Sequence, residues 1–245
     1  MLNIILIVVA VILLTIGLVW LVDKFIPSKF KPILKIALWA LIAYLGYQTF
    51  MSVYKPIQFN VIKEKRYAKV IEKLIDIRDA ELAHRQVTGK FSGNFDELVK
   101  FLDTAKFTIT QRRDSTILDK ELTKRYGGVE TYKDIVITDT LGFKSVKDSL
   151  FKDSDRYKTM MNVPETDGAK FELKAGVLDQ NGLKIPVFEA KVKKDVILFD
   201  QDADLIDQEN QVVSVDGVNG DALIVGSMDE IKTNGNWPKN YGSDE

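Results

Sequence analysis

Cysteine is absent from this chain of 245 residues, and histidine occurs once, at His84. The first absence excludes disulfides, thiolate metal sites and cysteine nucleophiles. The single histidine lacks a second imidazole for a metal site and a positioned nucleophile to activate, so we interpret it as structural or exposed. Neither a Walker-type loop nor a dinucleotide fingerprint occurs. We therefore predict a protein that is not an enzyme and that carries no cofactor.

A surplus of positive charge is also missing. Lysine and arginine number 34 against 35 acidic residues, which gives a formal net charge of −1. A nucleic-acid-binding surface needs a basic surplus on one face. We therefore predict no nucleic-acid partner.

Charge of either sign is missing from two long apolar runs, Leu2 to Val22 and Ile36 to about Tyr54. Each can cross a hydrocarbon layer of about 30 Å, which takes roughly 20 helical residues. A cleaved signal peptide is a rival interpretation of the first run, but no basic residue precedes that run and no small-residue cleavage site ends it. A buried soluble helix is another, but neither run has a polar face. We predict a transmembrane helical hairpin over residues 1–54.

The lysines beside these runs bear on orientation. Lys24, Lys29 and Lys31 lie in the short turn, and basic residues in short loops tend to stay cytoplasmic. Lys55 and the basic residues of segment 63–69 favour the opposite orientation, but the segment is farther from the second run and fits a folded helix. We predict a bacterial inner-membrane protein whose large C-terminal domain is periplasmic.

Residues 55–130 are predicted to form a helical stalk and a small α/β region. Lys55-Pro56 should end the second apolar helix, because proline disfavours a helical conformation in the residue before it. A new helix should run from about Asn60 to Val87, with an apolar stripe at three- and four-residue spacing and a charged wet face. The stripe comprises Tyr67, Val70, Ile71, Leu74, Ile77 and Leu82; the wet face comprises Lys63, Lys65, Arg66, Lys69, Lys73, Asp76, Asp79 and Glu81.

Shorter elements should follow this helix within the same region. Asn94 can cap a short helix together with Glu97. Phe107 to Thr110 alternates like a strand. The apolar spacing of Ile117, Leu118, Leu122 and Tyr126 then indicates another short helix, which Gly127-Gly128 would end.

Part of this region resembles a known family. The runs Ile77-Arg78-Asp79-Ala80-Glu81-Leu82-Ala83-His84, Thr88-Gly89-Lys90-Phe91 and Phe95-Asp96-Glu97-Leu98 resemble the helix-to-loop region of pilin-like and pseudopilin-like proteins, over about residues 60–102. His84 and Phe91 stand where tyrosines are commonest in those proteins. The whole chain resembles uncharacterised envelope and inner-membrane proteins of the Bacteroidota. These resemblances imply a place in a secretion- or pilus-like envelope assembly.

Residues 131–231 are predicted to form an antiparallel β domain of about five to seven strands. Alternation over Phe171 to Val177, the turn Asn181-Gly182 and a returning run from Leu183 to Val187 indicate a hairpin. Pro186 lacks an amide donor, so its strand should be an edge or carry a bulge. Further strands are expected at Ile135 to Thr138, Asp195 to Asp200, Gln211 to Val215 and Ala222 to Val225. Residues 232–245 are predicted to be a flexible tail.

Asp200, Asp202 and Asp204 are the sharpest candidate site. An Asp-x-Asp-x-Asp run can present three carboxylates to calcium, which takes six to eight oxygen ligands. An EF-hand would place Gly at Leu205 and Glu at Gln211, and this chain has neither. The alternative interpretation is an acidic, solvated connector between strands.

These patterns together predict an α+β protein: an N-terminal two-helix transmembrane hairpin, a long amphipathic helix and an antiparallel β-rich domain. We expect a membrane-anchored, non-enzymatic subunit or scaffold of a bacterial envelope assembly. Its partners would be the lipid bilayer and other envelope proteins, through the stalk helix, the transmembrane helices or a β edge. A calcium- or ligand-binding envelope module is the alternative.

Overall fold

The computed structural model describes residues 9–10, 12–17, 19–20, 24, 27 and 30–241. The chain is α+β, with a long N-terminal helix followed by antiparallel sheets, as predicted. Its helices are α1 (Lys31–Thr88), α2 (Phe95–Thr104), α3 (Lys120–Arg125), α4 (Val146–Leu150), α5 (Lys194–Ile197) and α6 (Ala203–Asn210). Its strands are β1 (Lys106–Leu118), β2 (Tyr132–Ser145), β3 (Glu172–Gln180), β4 (Leu183–Lys193) and β5 (Ala222–Gly226), and 3₁₀ turns occupy Arg156–Thr159 and Lys239–Tyr241.

The chain divides into two compact units, residues 1–58 and residues 59–245. The boundary predicted between residues 130 and 131 falls inside the second unit. Within the first unit, residues 9–10, 12–17 and 19–20 are helical, and the rest of the predicted first transmembrane helix lies outside the described residues. Helix α1 is long and apolar enough to cross a membrane, and its most apolar 18-residue window has no buried residue.

The break predicted at Lys55-Pro56 is wrong, because α1 continues through Pro56. Proline in a helix removes one backbone hydrogen bond and crowds the carbonyl four residues earlier, at a cost of about 3 kcal/mol. That carbonyl belongs to Ser52, which is exposed. The single defect does not end a helix of 58 residues.

The core of the second unit is built on one face of α1. The predicted stripe is confirmed from Tyr67 to Ile77, whose apolar members are almost completely buried, while Leu82 is only half-buried. Two residues assigned to the wet face, Asp76 and Glu81, are buried instead. The residues that share this core from elsewhere include Leu98, Leu102, Val146, Tyr157, Met160, Phe188, Ile197, Leu198 and Leu223.

The chain has a two-stranded sheet, β1-β2, and a three-stranded antiparallel sheet with the order β3-β4-β5. The predicted hairpin is confirmed: Asn181 and Gly182 take φ of 55° and 82°, the left-handed backbone that a two-residue hairpin turn requires. The expectation that Pro186 lies in an edge strand or at a bulge holds only locally, since β4 is central in the strand order. Pro186 pairs with Val177 of β3 without a register shift, and β5 pairs only with Glu189–Lys193. Around Pro186 the strand therefore has one neighbour, and the missing amide donor is tolerated.

The strands predicted at Asp195 to Asp200 and Gln211 to Val215 are wrong. The first segment overlaps α5, in which Lys194 and Ile197 are buried at a helical spacing of three. The second is turn and irregular backbone. Ile117 and Leu118 belong to β1 rather than to the following helix. Four strands lie after residue 131 in the described part of the chain, fewer than expected.

Residues 232–241 are held firmly, contrary to the predicted flexible tail, and residues 242–245 lie outside the described residues. Gly235 forms a β-bridge with Val225, and Trp237 is buried in the core. The Asn236 side chain accepts a hydrogen bond from the Ile224 amide at 2.9 Å and donates one to the Ala222 carbonyl at 2.8 Å. These bonds fasten the segment to β5.

Gly226, at the end of β5, is expected to be intolerant of substitution. Its φ is 77°, and a Cβ there would lie 2.3 Å from the Phe188 carbonyl oxygen. Gly226→Ala should lower the free energy of unfolding by about 2–3 kcal/mol, from backbone strain and the shift of β4. Gly182→Ala is the matched control, because its φ is also positive but a Cβ meets nothing within 4 Å. Urea unfolding measures both, and equal losses would contradict the steric argument.

Candidate functional site

Two of the three aspartates of the predicted calcium site, Asp200 and Asp202, have separate structural roles. The Asp200 carboxylate accepts hydrogen bonds from Nη1 of Arg66 at 2.6 Å and from Nη2 at 2.8 Å. This fork holds the pKa of the Asp200 carboxyl well below its usual range. Arg66 also donates to the Ile197 carbonyl at 2.8 Å, so it ties α1 to the end of α5.

Asp202 is the N-cap of α6, and its side chain accepts a hydrogen bond from the Asp204 amide at 3.2 Å. An aspartate at this position satisfies an amide that has no partner inside the helix. Among the described residues, no group of three or more His, Asp or Glu side chains is placed to hold a metal ion. The acidic run begins a helix and does not connect two strands.

His84 is buried, as one of the two interpretations expected. Its Nδ1 lies 2.7 Å from the Lys90 carbonyl oxygen, and its ring meets the Phe101 ring edge-on at 4.7 Å. Since a carbonyl only accepts, Nδ1 carries the proton of this bond. The ring fixes the turn that follows α1.

A cavity of about 400 Å³ lies beside His84 and is also lined by Ser92, Glu97 and part of β3. The Ser92 hydroxyl in its lining donates to the Asn94 carbonyl at 3.1 Å. With the Nδ1 atom of His84 and the Ser92 hydroxyl both bonded to backbone carbonyls, the lining does not assemble a nucleophile with its base.

A buried polar network joins α1, α5 and α6. Lys194 is fully buried, and its Nζ donates to the carbonyls of Glu209 at 2.7 Å and Val218 at 2.8 Å. The Glu209 carboxylate lies 3.3 Å from the same Nζ and accepts a bond from Lys63 at 2.9 Å. Desolvation lowers the pKa of Lys194, and burial raises the pKa of Tyr67, whose hydroxyl lies 3.4 Å from Glu209.

Glu81 is a second buried charge-bearing group. Its Oε2 accepts a hydrogen bond from the Ser92 amide at 2.8 Å, while Oε1 has no hydrogen-bond partner among the described residues. Burial raises the pKa of Glu81 to about 8. The sequence does not reveal either cluster, because the members are far apart in the chain. Their spacing on α1 also fits its solvent-exposed face.

Strands β1 and β2 form an exposed antiparallel ribbon. Pairing runs from Lys106↔Ser145 at the base to Leu118↔Tyr132 at the tip, with one register shift between Ile109 and Thr110. The Ala105 carbonyl and the Val146 amide, 3.1 Å apart, close the base. Helix α3 caps the tip. Asp119 is the N-cap of this helix, and its side chain accepts hydrogen bonds from the Glu121 and Leu122 amides.

Both faces of this ribbon carry large apolar side chains that are exposed. In the described part of the chain it is a sheet of only two strands, so both of its long edges are unpaired. The exposed fraction reaches 68% at Phe143, 64% at Leu141 and 61% at Val136. The other exposed apolar residues of the ribbon and its tip are Ile109, Ile117, Leu118, Tyr126, Val129 and Tyr132.

The ribbon has the properties of a docking surface. A two-stranded hairpin is at best marginally stable alone in water, and an unpaired edge is a template for another strand. The sequence predicts a partner-binding β edge, and its alternation indicates only Phe107 to Thr110 of β1 and Ile135 to Thr138 of β2. The charged residues Arg112, Arg113 and Asp114 interrupt the apolar alternation of β1, so the sequence does not indicate the nine remaining residues of this strand.

Comparison with protein-family models, with curated proteins and with solved structures finds no match for this chain.

Proposed function

We propose that this chain is a membrane-anchored, non-enzymatic subunit or scaffold of a bacterial envelope assembly, and that it docks to its partners through the ribbon β1–β2. The observation that carries the proposal is the ribbon itself. It pairs over 13 residues on β1, exposes apolar side chains on both faces, and leaves two strand edges free for backbone pairing.

The anchor rests on the apolar part of α1. Ile36, Trp39 and Ile42 are 58–72% exposed, which is costly in water and favourable in a lipid bilayer. We further propose that the two apolar runs form a hairpin with its lysine turn in the cytoplasm, which puts the large domain in the periplasm. The resemblance to Bacteroidota envelope proteins and to the pilin-like helix region supports the same location.

The non-enzymatic role rests on how the reactive side chains are used. Inside the core, the Lys194 ammonium group binds the backbone carbonyl and the carboxylate of Glu209. The His84 ring binds a backbone carbonyl. Arg66 and Asp200 bind one another at the surface. Groups engaged in this way hold the fold together and are not free to bind a substrate.

Removing the ribbon should abolish recovery of partner proteins and leave the anchored domain folded. In the variant, Asn-Gly replaces residues 110–141. This joins Ile109 to Gly142, which face each other in the present register and accept a two-residue turn. We expect proteins that co-purify with the wild type in mild detergent to fall at least tenfold, as identified by mass spectrometry.

Val213→Lys and Val215→Lys provide the matched control. These residues are 90% and 92% exposed and lie outside the ribbon, so their replacement removes exposed apolar surface without touching the two strands. Both variants should keep the partners. An unchanged set of co-purifying proteins after ribbon removal, with the circular dichroism of a folded domain, would refute the proposed function.

A further inference from the structure

We infer that the free edge of β2 pairs with the same edge of a second copy of this chain, in an antiparallel arrangement whose two-fold axis passes through Val136. This inference rests on the proposed function, because it names one partner that the ribbon binds. The result would be a continuous sheet of four strands.

The regular part of β2 is symmetric about Val136. Pairing with β1 is uninterrupted from Leu118↔Tyr132 to Thr110↔Thr140, and the register shift follows immediately. The regular segment therefore runs from Tyr132 to Thr140, and Val136 is its middle residue. A bulge twists a strand and ends flat pairing, so this segment is the part of the edge that another strand can join.

Charges and apolar residues match across this axis. Antiparallel strands related by a two-fold axis perpendicular to the sheet bring Val136 opposite itself and Ile135 opposite Ile137 of the second copy. Lys133 then lies opposite Asp139, once on each side of the axis. Opposite charges and β-branched pairs directly across an antiparallel ladder are both favourable.

Asp139 can bind Lys133 of the second copy in addition to Arg113 of its own ribbon. Its Oδ2 receives the Arg113 Nε at 2.9 Å within the ribbon, and its side chain is 46% exposed. Its Oδ1 has no hydrogen-bond partner among the described residues, so it can bind Lys133 of the second copy. A carboxylate has lone pairs on both oxygens and can bind two cations.

Neighbouring registers of β2 are less favourable. An axis at Ile135 places Lys133 opposite Ile137 and Asp134 opposite Val136. An axis at Ile137 places Ile135 opposite Asp139. Each of these registers sets a charged group against an apolar one and removes the Lys–Asp match.

The edge of β1 is also a poorer choice. An axis at Arg113 brings Arg112 opposite Asp114 but places Arg113 opposite itself, and an axis at Arg112 or Asp114 places that charged residue opposite itself. Like charges directly opposite each other destabilise a ladder. The charge pattern therefore favours the β2 edge as the self-pairing one and leaves β1 as the charged outer edge of the four-stranded sheet.

The absence of cysteine allows a direct test on the full-length protein in membranes. Paired residues of an antiparallel ladder have Cα atoms about 4.5–5.5 Å apart, within the range that a disulfide bridges. Val136→Cys should become mostly disulfide-linked dimer under mild oxidation, on a non-reducing gel. Asp134→Cys and Thr138→Cys are matched controls on the same face of the ribbon. Each alone should cross-link at least fivefold less, and the two co-expressed should cross-link to each other.

A second variant tests the charge match. Lys133→Glu, added to the Val136→Cys protein, should reduce the cross-linked fraction several-fold because it faces Asp139. Lys144→Glu, beyond the register shift, should leave that fraction unchanged. A monomeric Val136→Cys protein, or equal cross-linking at residues 134, 136 and 138, would overturn the inference.

The two proposals fail separately. If removing the ribbon abolishes partner recovery while Val136→Cys stays monomeric, the self-pairing inference is wrong and the docking function is supported. If Val136→Cys forms the dimer but ribbon removal leaves the co-purifying proteins unchanged, the envelope-partner function is wrong and self-pairing stands.

Discussion

Lys194→Ala is expected to lower the free energy of unfolding by about 3–5 kcal/mol, because it breaks a buried ion pair by removing one partner. Lys194 is fully buried, and its ammonium group donates to two backbone carbonyls and to the Glu209 carboxylate. Without it, the carbonyls of Glu209 and Val218 lose a donor. Each unsatisfied buried acceptor costs about 1–3 kcal/mol.

The loss should be specific to the buried ammonium group. Lys193→Ala is the matched control, since Lys193 is the preceding residue and is exposed; its effect should stay within about 0.5 kcal/mol. Lys194→Met preserves most of the side-chain volume and should still lose at least half as much stability as Lys194→Ala. Urea unfolding followed through Trp237, which is buried in the same core, measures all three. A loss below 1 kcal/mol for both Lys194 variants would contradict the structural role of this network.

Glu81 is expected to make the wild-type protein less stable as pH rises. Burial raises the pKa of its carboxyl to about 8 in the folded protein, against 4.5 as the ordinary value. Between these values the folded state holds a proton that the unfolded state has released. Stability therefore falls with rising pH, by about 1.4 kcal/mol per pH unit. Across the window the loss approaches roughly 4–5 kcal/mol.

Glu81→Gln should remove the contribution of Glu81 to this pH dependence. The amide has the size of the protonated acid, and its oxygen can still accept the Ser92 amide bond. At pH 5 the variant and the wild type should unfold at similar urea concentrations, while at pH 8 the variant should be more stable by several kcal/mol. The exposed Glu97 provides the control, because Glu97→Gln should leave the slope unchanged.

Asp76 adds to the wild-type slope in the same direction and remains in the Glu81→Gln variant. Burial raises the pKa of its carboxyl, and Arg156, at 3.0 Å, opposes the rise. Some pH dependence should therefore persist after the Glu81 change. A wild type whose stability is constant from pH 5 to pH 8 would show that Glu81 is ionised in the fold.

Local patterns predicted local structure well. The alternation after Phe171 and the Asn181-Gly182 turn predicted the β3–β4 hairpin, because the conformation of a two-residue turn is set by its own residues. Asn94 was identified as a helix cap for the same reason, and its side chain accepts the Asp96 amide. The apolar spacing on α1 predicted its buried face from Tyr67 to Ile77.

The candidate site was harder to predict. The ribbon pairs β1 with β2, which the α3 segment separates in the chain. It is a candidate site because its apolar side chains are exposed. Exposure depends on the packing of every other element, which a single stretch of sequence does not specify. Asp200, Asp202 and Asp204 form a candidate cation site by their spacing in the sequence, which does not show that the partner of Asp200 is Arg66, 134 residues away.

The sequence by itself determined the apolar helix over residues 36–54, the α+β class and the β3–β4 hairpin, because each depends on residues within a few positions of one another. Tertiary structure alone decided that Asp76, Glu81 and Lys194 are buried, that β4 is central and that residues 232–241 are bound to β5. Burial and long-range pairing depend on contacts between distant segments, and only the folded chain brings those segments together.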